Sequence, residues 1–254
     1  MISQRLVVGL QLFKGKLIKT TSFDKENFSY LGDVLNAVRI FNEKRVEELI
    51  IYDLDAAVSK NINFEILEKI SRVSRMPLCY GGGIDTIEKA KKIFSLGFEK
   101  ISFNTLIYDN LELIKNISEI IGKQSIVFSI DYKKILNDYI CFKNSGSFNT
   151  GIKVVDLINL NYQDFIGEIV LNDIENDGSM KGYNNHLIEQ IYKNIKIPIT
   201  LSGGFRDLED VKNIFQRYKI IGICCSSIFV YKGANKAVLL NYPDLEQINK
   251  LKNF

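Results

Sequence analysis

Two glycine-rich turns carry the first chemical signal in this chain. Gly81-Gly82-Gly83 and Ser202-Gly203-Gly204 each follow a short apolar run and precede a stretch with helical spacing. Glycine lets a backbone approach an anion closely, and the helix N-terminus that follows offers unpaired N–H groups. A tight strand-to-helix turn would use the same residues, so one copy by itself leaves both readings open. The next apolar run ends in small polar side chains each time, Ser102-Phe103-Asn104-Thr105 in one case and Cys225-Ser226-Ser227 in the other. Hydroxyl and amide groups of that size suit phosphate oxygens. Two such sites imply a ligand with a phosphate at each end.

Carboxylates gather where apolar runs end: Asp53, Asp55, Asp131, Asp173, Glu175 and Asp177. A carboxyl group there can work as an acid or a base once its pKa is tuned. Asp131, closing the fifth run, is the candidate for that work, and the others read as helix caps or a solvated rim. No ligand spacing singles out a metal site. His186, the one histidine, opens a helical pattern and reads as a surface residue. Four charged residues, Arg5, Glu48, Lys100 and Glu168, each open an apolar strand. Turned inward they would have to pair, because buried unpaired charge is expensive. Taken by themselves they read as ordinary surface residues.

The elements that must position these groups are legible as alternation. Apolar runs predict strands at Leu6–Leu10, Glu48–Leu54, Pro77–Tyr80, Lys100–Phe103, Ser125–Asp131, Glu168–Asp173, Ile197–Ser202 and Ile220–Cys225. Runs that are apolar nearly throughout suit parallel strands buried on both faces. Ile87, Ala90, Ile93 and Phe94 share one helical face, as do Leu208, Val211, Ile214 and Phe215. Both stretches begin with acidic residues, which suit a helix N-terminus. Eight strand-then-helix units in 254 residues is the arithmetic of an α/β fold, a single (β/α)8 TIM barrel spanning residues 1–254. Tyr139–Phe142 predicts a short extra strand followed by a turn at Asn144-Ser145-Gly146, a hairpin inserted after the fifth strand.

The chain also repeats itself. Gly82 through Glu88 matches Gly203 through Glu209 at an offset of 121, which holds through Lys91 and Lys212, Ile93 and Ile214, and Phe94 and Phe215. At an offset of 120, Leu10-Gln11 faces Ile130-Asp131, Glu48 faces Glu168 and Asp53 faces Asp173. Two half-barrels of four units each explain both the order and the spacing.

Composition narrows the function classes. A chain with 46% hydrophobic residues is not a disordered one. A net charge of +3 is too mild to imply nucleic acid, and no basic aromatic cluster occurs. Cys79, Cys141, Cys224 and Cys225 share no C-x-x-C spacing, which excludes a disulfide scaffold and argues against zinc. No apolar run approaches the ~20 residues of a membrane span. The opening Met1-Ile2-Ser3-Gln4-Arg5 is no signal peptide. A cytoplasmic protein is expected, with no metal, no cofactor, no nucleic acid and no membrane partner.

These residues resemble a known family. Arg5 through Thr20, Leu54-Asp55-Ala56, Gly81-Gly82-Gly83-Ile84, Ser129-Ile130-Asp131, Asp177-Gly178-Ser179, Ser202-Gly203-Gly204 and Ser226-Ser227 follow the cyclase subunit of imidazole glycerol phosphate synthase. The match covers almost the whole chain in order. The resemblance implies a TIM barrel with half-barrel symmetry, lyase-type chemistry and a substrate with two phosphates. It implies a partner, a glutaminase subunit of the class I glutamine amidotransferase type, docked on the N-terminal face. Ammonia from that partner would cross the barrel to the C-terminal face. Carried over, the substrate and phosphate positions become Gly83, Asn104 and Thr105 in one half, and Asp177, Gly178, Gly204, Ser226 and Ser227 in the other. Lys19 matches a lysine of the mobile loop after the first strand. Arg5, Glu48, Lys100 and Glu168 match a salt-bridged ammonia gate, which reverses the surface reading of those four.

One departure stands out. The family pairs two catalytic aspartates, at the ends of the first and fifth strands. Asp131 is present, and Gln11 stands where the other acid belongs. A carboxamide cannot donate and take back a proton near neutral pH as a carboxyl group can. Loss of one positioned acid or base typically costs ~10² to 10⁴ in rate. The combination resembles a paralogous branch associated with acetamido-to-acetamidino modification of a sugar in surface-polysaccharide (lipopolysaccharide O-antigen) biosynthesis. That branch works beside a glutaminase and an ATP-dependent sugar amidotransferase. The strings that carry this finer resemblance are Arg75 through Gly83, Ile93 through Gly97, Phe229 through Gly233 and Val238 through Pro243. Two alternatives remain: a true imidazole glycerol phosphate synthase cyclase of histidine biosynthesis that tolerates Gln11, and a non-catalytic scaffold that activates the glutaminase.

Overall fold

A parallel strand buried on both faces needs helices outside and side chains inside, and the first strand meets both demands. In Arg5–Phe13, Leu6, Val8, Leu10 and Leu12 pack outward with the helices, and Val7 turns inward. The inward residues Val7, Ile50, Cys79, Val127, Val170 and Cys224 form their own buried ring inside the barrel. Alternation with period two therefore hides within runs that look uniformly apolar.

The computed structural model describes residues 4–160, 162, 164–194, 196–218 and 222–252. The strand Arg5–Phe13 pairs in parallel with Glu48–Asp53, and the series continues through Leu78–Gly81, Lys100–Phe103 and Ile126–Ile135. It runs on through Glu168–Asp173, Ile199–Ser202 and Gly222–Cys225, which pairs back to the first strand. These eight strands close a (β/α)8 barrel, as the sequence predicts. The expected strand ends shift by a few residues at most, apart from the fifth strand. Residues 220–221 of the expected eighth strand and residues 1–3 of the opening segment lie outside the described residues.

The helices begin where their chemistry starts them. Ile87–Ser95 is capped by Thr86, whose side chain accepts from the Lys89 N–H, and it buries Ala90 and Ile93. Its repeat partner Leu208–Arg217 is capped by Asp207 and buries Val211, Ile214 and Phe215. Each cap satisfies an N–H that the helix itself cannot, worth ~1 kcal/mol.

Two insertions elaborate the mouth of the barrel. The fifth strand continues past Asp131 to Ile135 and returns as Asp138–Lys143, so the predicted hairpin exists and grows out of the barrel strand itself. A further strand, Phe148–Lys153, extends it. That strand is largely exposed and carries no apolar run that could have announced it. After the first strand, Lys16–Thr20 and Phe28–Gly32 form a second hairpin-like extension. Lys19 thus lies on an antiparallel strand with its side chain buried, not on the loop that the resemblance implied. Among the described residues no helix is long and apolar enough to cross a membrane.

Candidate functional site

The carboxyl ends of the barrel strands open on a cavity of about 940 Å³. Gln11, Lys19, Gly83, Asn104, Thr105, Asp131, Asp177, Gly178, Gly204, Ser226 and Ser227 all line it. The fold therefore gathers the residues that the sequence suggested separately.

The glycine turns are the same device built twice. Gly82 has φ +142°, and a Cβ there would meet the Asp53 carbonyl oxygen at 2.5 Å. Gly203 has φ +98°, and its Cβ would meet the Asp173 carbonyl oxygen at 2.6 Å. Neither position admits a side chain, because each turn is pressed against the end of the neighbouring strand. Asp53 and Asp173 in turn cap the next segment, accepting from the N–H of Ala56 at 2.9 Å and of Asn176 at 3.2 Å. The structure thus assigns these two aspartates to capping. Asp55 accepts from the Lys14 N–H, and Glu175 from the Lys134 N–H at 3.0 Å. His186 is exposed at its helix start.

The strand ends that follow the turns are also alike in backbone. Asn104 (φ −120°, ψ −78°) and Ser226 (φ −122°, ψ −63°) begin short helices that no side chain caps. The Oγ atoms of Ser226 and Ser227 are buried without a hydrogen-bond partner. A buried hydroxyl left unpaired costs free energy unless a ligand completes it.

Asp131 sits deep in the cavity and accepts a hydrogen bond from the Asn172 side-chain amide at 3.1 Å. Burial pushes its carboxyl up to about 7, the Asn172 bond pulls it down, and the charge of Asp177 adds to the rise. A carboxyl group poised there exchanges protons near neutral pH. Gln11 is differently occupied. Its carbonyl accepts the Thr20 N–H at 2.8 Å, and its amide donates to the Thr20 hydroxyl at 3.0 Å. It pins the first-strand extension to the barrel. Lys19 reaches across to Asp177, with Nζ 2.7 and 2.9 Å from the two carboxylate oxygens.

The opposite, N-terminal end of the barrel is closed by charge. Arg5 Nη2 lies 2.9 Å from Glu168 and its Nε 3.1 Å from Glu48. Lys100 Nζ bridges the same two carboxylates, 2.9 Å from each. The Thr200 hydroxyl adds a hydrogen bond to Glu168. Burial works against all four charges, yet Lys100, Arg5 and Thr200 together hold the Glu168 carboxyl below its usual range. Glu168 and Glu48 in turn hold both cations above theirs, again against burial. The ring is therefore a closed set of ion pairs, which is the only form in which four such charges could face inward. Above it lies the apolar ring of Val7, Ile50, Cys79, Val127, Val170 and Cys224.

Three lining groups escaped the sequence reading. Asn172 holds Asp131 and keeps its own Oδ1 unpartnered. Tyr52 stands over the apolar ring with an unpartnered hydroxyl. Asn144 contacts Thr105. Counting by twos from Glu168 through Val170 leads to Asn172, and from Glu48 through Ile50 to Tyr52, so period two could have found both. Nothing in the sequence pairs Asn144 with Thr105, because that contact crosses between elements.

A closed eight-stranded parallel barrel with a polar mouth at the carboxyl ends of its strands defines a (β/α)8 barrel. The chain belongs to the family described as histidine biosynthesis protein, whose model matches residues 5–235. Within it the chain is HisF-like, of the imidazole glycerol phosphate synthase subunit kind. It is 42% identical over 247 residues to a protein of Leptospira borgpetersenii with the provisional name imidazole glycerol phosphate synthase subunit HisF, covering 96% of each chain. A Vibrio vulnificus protein, provisionally named imidazole glycerol phosphate synthase subunit hisF3, is 38% identical over 98% of this chain and 96% of its own. The unqualified imidazole glycerol phosphate synthase subunit HisF of Natranaerobius thermophilus is 30% identical over 95% of this chain and 96% of its own.

Proposed function

We propose that this barrel receives ammonia at its floor from a class I glutaminase subunit and delivers it at its mouth. The delivery serves acetamido-to-acetamidino conversion of a sugar in surface-polysaccharide biosynthesis. Gln11 carries the reading. Its amide is spent on Thr20 and offers no acid where imidazole glycerol phosphate synthase chemistry needs one. The features that ammonia transfer would use remain. The four-charge ring can act as a gate, and the apolar ring above it favours neutral ammonia over ammonium, whose burial unpaired is expensive. Replacing an amide oxygen by nitrogen needs activation of that oxygen, which an ATP-dependent sugar amidotransferase supplies. The barrel then has no need of a second acid. Residues 1–254 act as one domain in this scheme, and the cavity holds a phosphorylated small molecule through its glycine turns.

One observation favours a second reading. Asp131, held near 7 and hydrogen-bonded to Asn172, keeps an acid–base group at the end of the fifth strand. A histidine-biosynthesis cyclase using that single carboxyl would look the same there. Turnover of the imidazole glycerol phosphate synthase ribonucleotide substrate at saturating ammonium separates the two. Absence of turnover, from protein that still raises the activity of its glutaminase, is the expected result. Turnover at the rate of an ordinary cyclase would overturn the sugar reading and put the histidine enzyme in its place.

A further inference from the structure

Two residues on from each member of the apolar ring stand Gly9, Tyr52, Gly81, Ser129, Asn172 and Ser226, all on the cavity wall. Five of these are small or of modest size, and Tyr52 is a large aromatic. Its ring takes the room that the two glycines leave. A Cβ at Gly9, on the strand to one side, would lie 3.6 Å from the Tyr52 Cε2. A Cβ at Gly81, on the strand to the other side, would lie 3.5 Å from its Cδ1. The ring thus reaches from one neighbouring strand to the other, where the apolar ring gives way to the cavity. Cys79, one inward step nearer the floor than Gly81, is buried in the apolar ring and does not reach the cavity wall. The Tyr52 hydroxyl is buried with no hydrogen-bond partner. Burial pushes it well above the ordinary tyrosine range, and Cys224, Cys79, Asp131 and Asp177 add to the rise. The group therefore stays a protonated donor, and a buried donor left unpaired costs free energy that a small ligand can recover.

We propose that Tyr52 is a second stop above the floor: its ring shuts the apolar ring off from the cavity, and its hydroxyl holds ammonia as it emerges. Neutral ammonia has a lone pair that accepts the O–H, and the hydroxyl oxygen accepts an N–H in return. Ammonium has donors only and cannot take that O–H. The two closures therefore work by different chemistry. The floor is shut by ion pairs, and the upper stop by an aromatic ring whose hydroxyl matches the neutral form. This inference rests on reading ammonia as crossing the barrel, and the tests keep the two claims apart.

Thiol labelling of the full chain with methyl methanethiosulfonate reads the closure. Cys79 should react about tenfold faster or more in Tyr52→Ala than in the unaltered protein, because thiol reactivity follows access. Cys141, buried outside the lumen, should react at the same rate in both and so reports that the variant is folded. Tyr52→Phe keeps the ring and should protect Cys79 as tyrosine does. Cys79 labelling that is unchanged in Tyr52→Ala overturns the proposal. NMR of the unaltered chain reads the hydroxyl and needs no destabilising variant. The Tyr52 Cζ resonance, identified by its loss in Tyr52→Phe, should shift with ammonium chloride and not with potassium chloride. At fixed total ammonium the shift should grow with pH as the neutral fraction does. No shift, or one that follows total ammonium, overturns the proposal. The ammonia reading is tested separately, by whether the unaltered barrel raises the activity of its glutaminase. If it does not, that reading falls and this inference with it, whatever the Cys79 rate.

Discussion

The two halves of the barrel share a scaffold and divide the chemistry. Asp85 and Lys89 form an ion pair at 2.6 Å in the first half, and their repeat partners Arg206 and Asp210 form one at 3.0 Å with the signs reversed. The geometry survives although the charges are exchanged, because a surface pair needs opposite signs and not a particular order. The deep positions behave otherwise. Gln11 in the first half stands opposite Asp131 in the second at the repeat offset, and only one of them can titrate. Both floor cations, Arg5 and Lys100, come from the first half, and each half contributes one carboxylate. Repetition therefore fixes turns, caps and ridges, and single substitutions inside the lumen decide what each half can do.

The largest expected effect lies at the floor, where that division is most costly to disturb. Lys100→Met leaves Glu48 and Glu168 sharing Arg5 alone, and stability should fall by about 3–5 kcal/mol in urea unfolding. A loss below 1 kcal/mol would mean that the ring is solvated like a surface pair.

The Gln11 and Asp131 contrast can be sharpened through pH. The Asp131 carboxyl sits near 7 in the folded chain and near 3.9 unfolded, so the folded state binds its proton more tightly. Stability from this group is full below pH ~4, falls as pH rises toward 7, and stays reduced above that. Asp131→Asn should therefore stabilise the protein at pH 8, by about 2–4 kcal/mol, and lose that advantage as pH falls to 4. Thermal unfolding across that range checks the sign. Gln11→Ala should show no such pH dependence, and a gain that is flat with pH in Asp131→Asn would break the contrast.

The strand ends after the glycine turns offer a smaller test of the same kind. Thr105→Ala removes an exposed hydrogen bond with the Asn144 N–H and should cost at most about 1 kcal/mol. Ser227→Ala removes a hydroxyl that has no partner and should raise stability by a similar amount without ligand. Equal losses in calorimetry would mean that the halves are equivalent there. The smallest effect belongs to the caps, where the halves should agree: Thr86→Ala and Asp207→Ala should each cost ~1 kcal/mol in urea unfolding. A difference above 1 kcal/mol between them would show that the repeat does not extend to its helix starts.

Much of this was legible in the chain itself. The eight strands, the hairpin after the fifth and the two glycine turns follow from periodicity and local backbone demands. Those are properties of neighbours in sequence, so composition and spacing carry them. Ser226, Ser227 and Asp131 were legible for the same reason, since all close apolar runs. The Phe148–Lys153 strand was not, because its exposure leaves no apolar pattern to read. The first-strand extension is a loop in the family resemblance, yet Lys16–Thr20 is a strand that buries four of its five residues.

What the sequence determined by itself, then, is the barrel, its halves and the list of groups that could meet at its mouth. What only the tertiary structure decided is which of those groups are already spent. Gln11 is bound to Thr20, Thr105 to Asn144, and Asp53 to the Ala56 N–H, whereas Ser226 and Ser227 remain open. Residue types alone leave the four floor charges as surface residues and the family resemblance makes them a paired ring; closure of the barrel is what turns them inward as pairs. The physical reason is the range of the forces. Strand and helix patterns are set by residues a few positions apart, but the floor ion pairs join side chains from 43 (Arg5 and Glu48) to 163 (Arg5 and Glu168) positions apart, and only closing the barrel brings those within reach.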